Sequence, residues 1–188
     1  QRQMCIRDRD PARISKSPAI FDPLKLRAIN AAYIRALPAE EFRKLADPFI
    51  DQAVHVQIDR DLLCANLQPR CEVLEDIPPQ LDFFDAVLPI DAEMYRNKKQ
   101  KTTPESAKEA LSALLPVLEA QTDWSRDAIF EACKQKAEAM EKKNGWLLFP
   151  LGIALSGKAR TPGGGTDLAA MMGKEETLRR LNAAIEAL

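Results

Sequence analysis

The segment WLLFPLGIALSG, residues 146–157, governs how this chain folds. It is almost entirely apolar, which is typical of a buried helix rather than of a surface helix with one polar face. It is also shorter than the roughly 20 apolar residues that a membrane span requires. Pro150 predicts a break within it, because proline removes a helical hydrogen bond. We therefore expect a broken, buried helix at the core of a C-terminal unit.

Two helices are predicted after this segment. The string TPGGGTDLAAMM predicts a turn over residues 161–165 and a short helix that ends near Met172. The glycines of this turn could cradle a phosphate, but no strand precedes them and no Gly-Lys-Ser/Thr follows, so we predict a plain turn. Arg179 and Arg180 are expected to point away from the apolar face of the last helix, which consists of Leu178, Leu181, Ile185 and Leu188.

Two more helices are predicted before the segment 146–157, and we expect them to pack as an antiparallel pair. Thr103 and Ser125 are suitable N-caps for them, since each hydroxyl can accept a hydrogen bond from a free amide of the first turn. Asn144-Gly145 is expected to close the second helix, because glycine tolerates the left-handed backbone at a helix end. Apolar residues at helical spacing predict the buried faces: Ala107, Leu111, Leu114, Leu115 and Leu118, then Ile129, Ala132, Cys133 and Met140.

The N-terminal part is also helical in pattern. Asp22 and Pro23 start a first helix, and Pro38 starts a second that Pro48 should end or kink. The chain is helical in period on both sides of Pro69, which places a bend beside Arg70. Pro78-Pro79 should restart a short helix that ends near Val87. The predicted buried face of the first helix is Leu26, Ile29, Tyr33, Ile34 and Leu37.

Composition agrees with an all-α fold. Aromatic residues make up 6% of the 188 residues and there are only 7 glycines, which argues against turn-rich sheet architectures. The 27 Lys and Arg nearly balance the 28 Asp and Glu, so the chain is neither strongly basic nor acidic. No apolar window is long enough for a membrane span and no secretion signal is evident, so we expect a cytoplasmic protein.

The sequence lacks the usual elements of an active site. The four cysteines, Cys5, Cys64, Cys71 and Cys133, are widely spaced, and the single His55 stands apart from them, so we predict no metal site. One histidine also leaves little scope for acid–base or nucleophilic catalysis. We therefore predict no catalytic residue in this chain.

The densest basic run is RNKKQK, residues 96–101, which contains Lys98, Lys99 and Lys101. Such a run is often only a solvated surface. The alternative is contact with the phosphate backbone of a nucleic acid.

Residues 1–9, QRQMCIRDR, differ in character from the rest of the chain and have no helical period. MCIRDR looks like the translation of a transposon end used in sequencing libraries. We therefore interpret 1–9 as a non-native segment; a polar, frayed N-terminus is the simpler alternative.

Four strings together carry a family resemblance: SKSPAIFDPLKL (15–26), YRNKKQKT (95–102), PLGIALSGKARTPGG (150–164) and MGKEETLRR (172–180). In order and spacing they resemble the C-terminal half of bacterial glutamyl-tRNA synthetase over residues 13–188. The resemblance implies a class I synthetase that uses ATP and Mg²⁺ to attach L-glutamate to tRNA(Glu). The catalytic domain, with its glutamate and ATP sites, would then lie upstream of Asp10, and this chain alone would bind no cofactor and be inactive.

The same resemblance implies a domain organisation. Residues 10–37 would be the end of the stem-contact region, and the rest a two-part helical anticodon-binding region, divided into 38–122 and 123–188. The expected partner is tRNA(Glu), with the parent enzyme a monomer and no membrane involved.

The resemblance also implies site residues. Arg70, Thr161 and Pro162 match anticodon-binding positions, and Lys98, Lys99 and Lys101 would contact the tRNA backbone. The sequence departs from the family at three places: Gly152 stands where many members have arginine, Gly164 where a large apolar residue is common, and Ala28-Ile29 where a tryptophan usually precedes Asn30.

Two other functions stay open from the residues alone: a free-standing RNA-binding module and a helical protein-interaction domain. RNA binding would depend steeply on salt concentration, whereas a protein contact would not. Whether a parent enzyme would also charge tRNA(Gln) is likewise open.

Overall fold

A computed structural model describes residues 22–188 of the chain. The predicted non-native segment 1–9 and the string SKSPAIF at 15–21 lie outside the described residues. Within 22–188 there are eight α-helices and four short 3₁₀ helices, and the one strand-like feature is a bridge between Asn97 and Thr102. The predicted all-α fold is confirmed. No helix of this range has both the length and the apolar character needed to cross a bilayer.

The α-helices are, in chain order, α1 (Pro23–Ala36), α2 (Ala39–Ile50), α3 (Arg60–Leu67), α4 (Pro104–Ala120), α5 (Arg126–Ala139), α6 (Asn144–Ser156), α7 (Gly165–Met172) and α8 (Lys174–Ala187). The 3₁₀ helices lie between α3 and α4: Gln68–Arg70, Leu74–Asp76, Pro78–Gln80 and Ala92–Tyr95.

The predicted N-caps are confirmed. Asp22 Oδ1 accepts hydrogen bonds from the amides of Leu24 and Lys25 at 3.0 and 3.2 Å. Thr103 and Ser106 form a reciprocal capping box at the start of α4, and Ser125 caps α5. Short-range chemistry therefore determined where these helices begin.

Three predictions about helix ends and proline positions were wrong. α6 runs through Pro150 without a break, because burial of most of its side chains offsets one missing hydrogen bond. Asn144-Gly145 begins α6 instead of ending α5, and the reversal before it uses Glu141 with a φ of +55°. Pro78-Pro79 begins a 3₁₀ helix, not an α-helix, since two adjacent prolines supply no amide donors.

The apolar face predicted for α1 is mostly exposed. Only Ala31 and Ile34 of this helix are buried, whereas Tyr33 is 73% exposed. α1 instead docks through polar groups: Arg27 pairs with Glu72 and Asp76, and Gln68 Nε2 donates to the carbonyls of Ile34 and Leu37. The helical period was right, but it did not indicate which face would meet the rest of the protein.

A single hydrophobic core extends from Ile34 to Ala184. α6 lies at its centre, packed against α4, α5, α7 and α8. The predicted apolar segment 146–157 is therefore the core element expected from the sequence. This core continues across Asp123, and the division of the chain there stays a prediction.

The prediction that Arg180 points away from the apolar face of the last helix was wrong, because its side chain points into the protein. It is 1% exposed. Its Nη1 donates to the carbonyls of Phe83 and Leu155, both at 2.6 Å, and its Nη2 donates to the carbonyl of Phe84 at 2.9 Å. Its Nε donates to Glu176 at 2.6 Å. Hydrogen bonds from Arg179 and then Arg180 lower the pKa of Glu176 to about 2, so this carboxylate stays ionised at neutral pH.

We predict that Arg180→Met destabilises the protein by about 3–5 kcal/mol, because it leaves buried carbonyls without donors. Arg179→Met is the matched control. Arg179 pairs with the same Glu176, but its side chain is 59% exposed, and such pairs contribute about 1 kcal/mol or less. Urea unfolding of both variants measures the difference. Similar small losses for the two would show that the buried guanidinium is dispensable.

Candidate nucleic-acid interface

Arg70 ends the 3₁₀ helix that follows α3, at the bend predicted for Pro69. Its Nη1 donates to the carbonyl of Thr161 at 3.2 Å and to that of Pro162 at 3.1 Å. These residues are 91 and 92 positions further along the chain. The structure therefore brings together the three residues predicted to bind the anticodon.

The turn that Arg70 contacts is held in place from within. Thr161 Oγ1 donates to the carbonyl of Gly163 at 2.6 Å. Asp167, 9% exposed, accepts from the Gly164 amide at 2.7 Å and from Arg126 Nε at 2.8 Å. The amide of Gly164 is thus already bonded within the protein and does not point to a ligand. Pro162 is buried, so it shapes the turn and exposes little of its own ring.

Beside this turn lies an open cleft of about 640 Å³, a size typical of ligand sites. One wall is apolar and consists of Leu148, Phe149 and Ile153 of α6. Gly152 and Gly164, the two family departures on this side of the protein, both line the cleft and leave it free of side chains there. A Cβ on Gly152 would make ordinary van der Waals contact with the Gly165 backbone, 3.7 Å from its nitrogen, so the position has room for a small side chain.

Two cations at this cleft were not singled out from the sequence. Lys158 Nζ donates to the carbonyl of Pro79 at 2.8 Å and pairs with Asp82. Arg160 is exposed and lines the cleft. Their place in the string KARTPGG, directly before Thr161, was the available signal.

Comparison with known proteins assigns the family. A family profile described as "Anticodon binding domain" matches residues 31–185. The chain belongs to the anticodon binding domain family. The match includes Arg70, Thr161 and Pro162, and their role in binding an anticodon stays a prediction.

Curated relatives confirm the predicted resemblance to bacterial glutamyl-tRNA synthetase. The chain is 43% identical over 175 residues to a glutamate–tRNA ligase of Clostridium botulinum, and 41% identical over 180 residues to one of Clostridium acetobutylicum. These alignments cover 93% and 95% of this chain, but only 36% and 37% of the relatives. The chain thus spans little more than a third of the length of the relatives it matches.

A solved structure supports the fold. The crystal structure of a glutamate tRNA ligase from Elizabethkingia meningosepticum matches 99% of this chain with a TM-score of 0.80 at 26% identity. The match covers 36% of that ligase chain. The helices of this chain therefore have an arrangement similar to that of the matching part of the ligase.

The three predicted backbone-binding lysines lie on a different element. Lys98, Lys99 and Lys101 are exposed on the loop closed by the bridge between Asn97 and Thr102. None of their ammonium groups forms an ion pair with any residue of the described range, and none lines the cleft. The structure does not join them to Arg70, and their contact with RNA stays a prediction.

The remaining reactive groups of the described chain show no catalytic arrangement. Burial raises the pKa of Cys64 to about 11 and that of Cys133 to about 12, so both thiols stay protonated. His55 is bonded to Asp85 at the surface. Within residues 22–188, no three His, Cys, Asp or Glu side chains are grouped as metal ligands.

The glycine where α6 and α7 meet should be essential for the shape of the cleft. A Cβ on Gly165 would lie 2.7 Å from the Leu148 carbonyl and 3.0 Å from the Gly152 amide nitrogen. Gly165→Ala should therefore destabilise the protein by about 1–3 kcal/mol through overpacking. The neighbouring Gly164→Ala places its Cβ at 3.4 Å from Asp167 and should change stability by less than about 0.5 kcal/mol. Thermal unfolding compares the two; equal shifts would contradict the close helix approach.

Proposed function

We propose that this chain is the anticodon-binding part of a glutamate–tRNA ligase and that it recognises tRNA(Glu). The observation that carries the proposal is the hydrogen bonding of Arg70 to the turn at Thr161 and Pro162 in a member of the anticodon binding domain family. The parent enzyme, a cytoplasmic monomer in this proposal, would attach L-glutamate to the tRNA. ATP, Mg²⁺ and glutamate would bind in the part of that enzyme outside this chain.

The geometry of Arg70 supports a role in reading a base. The carbonyls of Thr161 and Pro162 hold Nη1, while Nε and Nη2 have no acceptor within the described residues. A guanidinium fixed at one nitrogen is oriented before RNA arrives, which reduces the entropy lost on binding. Its free N–H groups are then available to two adjacent acceptors.

The tRNAs for glutamate and glutamine differ at an anticodon base that a guanidinium can distinguish. The third anticodon base is C in tRNA(Glu) and G in tRNA(Gln). The Watson–Crick edge of C offers N3 and O2 as adjacent acceptors, whereas that of G presents the N1–H and N2–H donors. A guanidinium therefore pairs with C and meets only donors on G at those positions.

A protein-interaction domain is a second candidate, and the exposed face of α1 favours it. Leu24 is 78% exposed and Tyr33 73%, and Leu26 and Ile29 lie between them. Contacts made by such a face bury apolar area and depend little on salt concentration. Salt dependence therefore separates the two candidates.

We predict that the chain alone binds a tRNA(Glu) transcript with an affinity that falls steeply as salt rises, because each phosphate contact releases counterions. Pyrophosphate exchange with glutamate and ATP should be absent. Fluorescence anisotropy between about 50 and 200 mM KCl measures the binding, over a range in which each phosphate contact changes the affinity by roughly threefold. Binding that does not change with salt would instead support the protein-interaction candidate.

Arg70→Gln should weaken binding of tRNA(Glu) and reduce its preference over tRNA(Gln). One lost bidentate base contact corresponds to about 1–3 kcal/mol, or roughly 5- to 150-fold. Lys108→Gln, which removes an exposed positive charge of α4 outside the cleft, is the control and should leave the preference unchanged. Competition binding with both tRNAs measures the ratio. An equal loss for the two tRNAs would make Arg70 a backbone contact, and no loss would make it structural.

A further inference from the structure

Three cationic side chains line the cleft beside the turn at Thr161: Arg70, Lys158 and Arg160. Two of them are already engaged by the protein. Arg70 is held by the carbonyls of Thr161 and Pro162. Lys158 is partly buried, where its ammonium group binds the Pro79 carbonyl and pairs with Asp82.

Among the three cations of the cleft, Arg160 is the one with no hydrogen-bond or ion-pair partner in residues 22–188. It is exposed. The nearest carboxylate along the chain on the far side of the turn is Asp167, which is bonded to Arg126 and to the Gly164 amide. The mouth of the cleft therefore carries a positive charge that is free to meet an anionic ligand.

The backbone that carries Arg160 is fixed on its C-terminal side. Thr161 follows it directly and is held by Arg70 through its carbonyl and by Gly163 through its hydroxyl. The Lys158 side chain anchors the chain two residues earlier to the segment at Pro79. Because this backbone is held, the Arg160 side chain can change conformation at the mouth of the cleft without displacing the turn.

The interior of the cleft suits a nucleobase rather than a phosphate. Leu148, Phe149 and Ile153 form an apolar wall, and Gly152 and Gly164 add no side chain. A nucleobase can stack on such a wall. The phosphate attached to that nucleotide would then remain at the water-exposed mouth, where the planar guanidinium of an arginine can bond two of its oxygens together.

We propose that Arg160 holds a backbone phosphate of the bound RNA loop at the mouth of this cleft. This inference rests on the proposed function, because it requires RNA to enter the cleft. It assigns different tasks to two neighbouring arginines. Arg70 reads a base, and Arg160 positions the strand without reading its sequence.

The test uses the full 188-residue chain, a tRNA(Glu) transcript, and the same transcript with the third anticodon base changed from C to G. Arg160→Gln should weaken binding of both RNAs by the same factor, roughly fivefold at low salt. It should also reduce the steepness of the log affinity against log salt plot by about 0.7–0.9, the value for one phosphate contact. Arg160→Lys should restore the slope, since it keeps the charge.

Lys108→Gln is the control for loss of one exposed positive charge, because Lys108 is exposed on α4 and does not line the cleft. It should leave the slope closer to the wild-type value than Arg160→Gln does. An unchanged slope for Arg160→Gln would overturn the proposal, and so would a changed ratio between the two RNAs, which would indicate a base contact. If the wild-type chain itself shows no salt-dependent binding of tRNA, the proposed function fails, and this inference fails with it.

Discussion

The buried guanidinium of Arg180 connects three segments that are far apart in the chain. It lies on α8 and donates to a carbonyl at the end of α6 and to two carbonyls in the segment before Ala92. The carbonyl of Leu155 lies in the last turn of α6, where helical carbonyls lack intrahelical donors. A buried arginine is tolerated only when its nitrogens find acceptors, and here three backbone carbonyls and Glu176 bond all three of them.

The position of the cleft depends on this connection. α6 ends at Ser156, and its C-cap Gly157, with a φ of +65°, turns the chain toward Lys158 and Arg160. The segment that receives Arg180 at Phe83 is continuous with Pro79 and Asp82, which receive Lys158. The chain leading to the turn at Thr161 is thus held by the end of α6 and by the segment 79–84. Arg180 joins these two segments through its hydrogen bonds. Loss of the Arg180 hydrogen bonds would weaken RNA binding indirectly, because it would change the shape of the cleft.

Small residues keep the cleft open. Gly165 allows α7 to approach the Leu148 carbonyl of α6 so closely that a side chain would clash, and Gly152 faces it. Asp167 then closes the turn from the first turn of α7, where a carboxylate also interacts favourably with the helix dipole. The result is a held turn beside an open apolar wall. Under the proposed function, such a surface would take a base that has been turned out of a loop, while Arg160 would contact the RNA backbone.

Several properties can be read from the sequence without the structure: the all-α class, the N-caps of α1, α4 and α5, the burial of segment 146–157 and the family. These properties depend on short-range hydrogen bonding, on hydrophobic content, or on strings that resemble a known family. The sequence also pointed to Arg70, Thr161 and Pro162, but only through the resemblance. Nothing local in LQPR or KARTPGG indicates that the two strings meet.

The packing of the helices, by contrast, determines where several side chains lie. Helical spacing put Arg180 off the apolar face of α8 and Tyr33 on the apolar face of α1, yet Arg180 is buried and Tyr33 is exposed. The physical reason is that periodicity describes one helix, whereas burial depends on which segments reach it. The carbonyls of Phe83, Phe84 and Leu155 had to converge before an arginine could be buried among them. Likewise, the contact of Arg70 with Thr161 exists only because the packed helices bring together residues 91 positions apart.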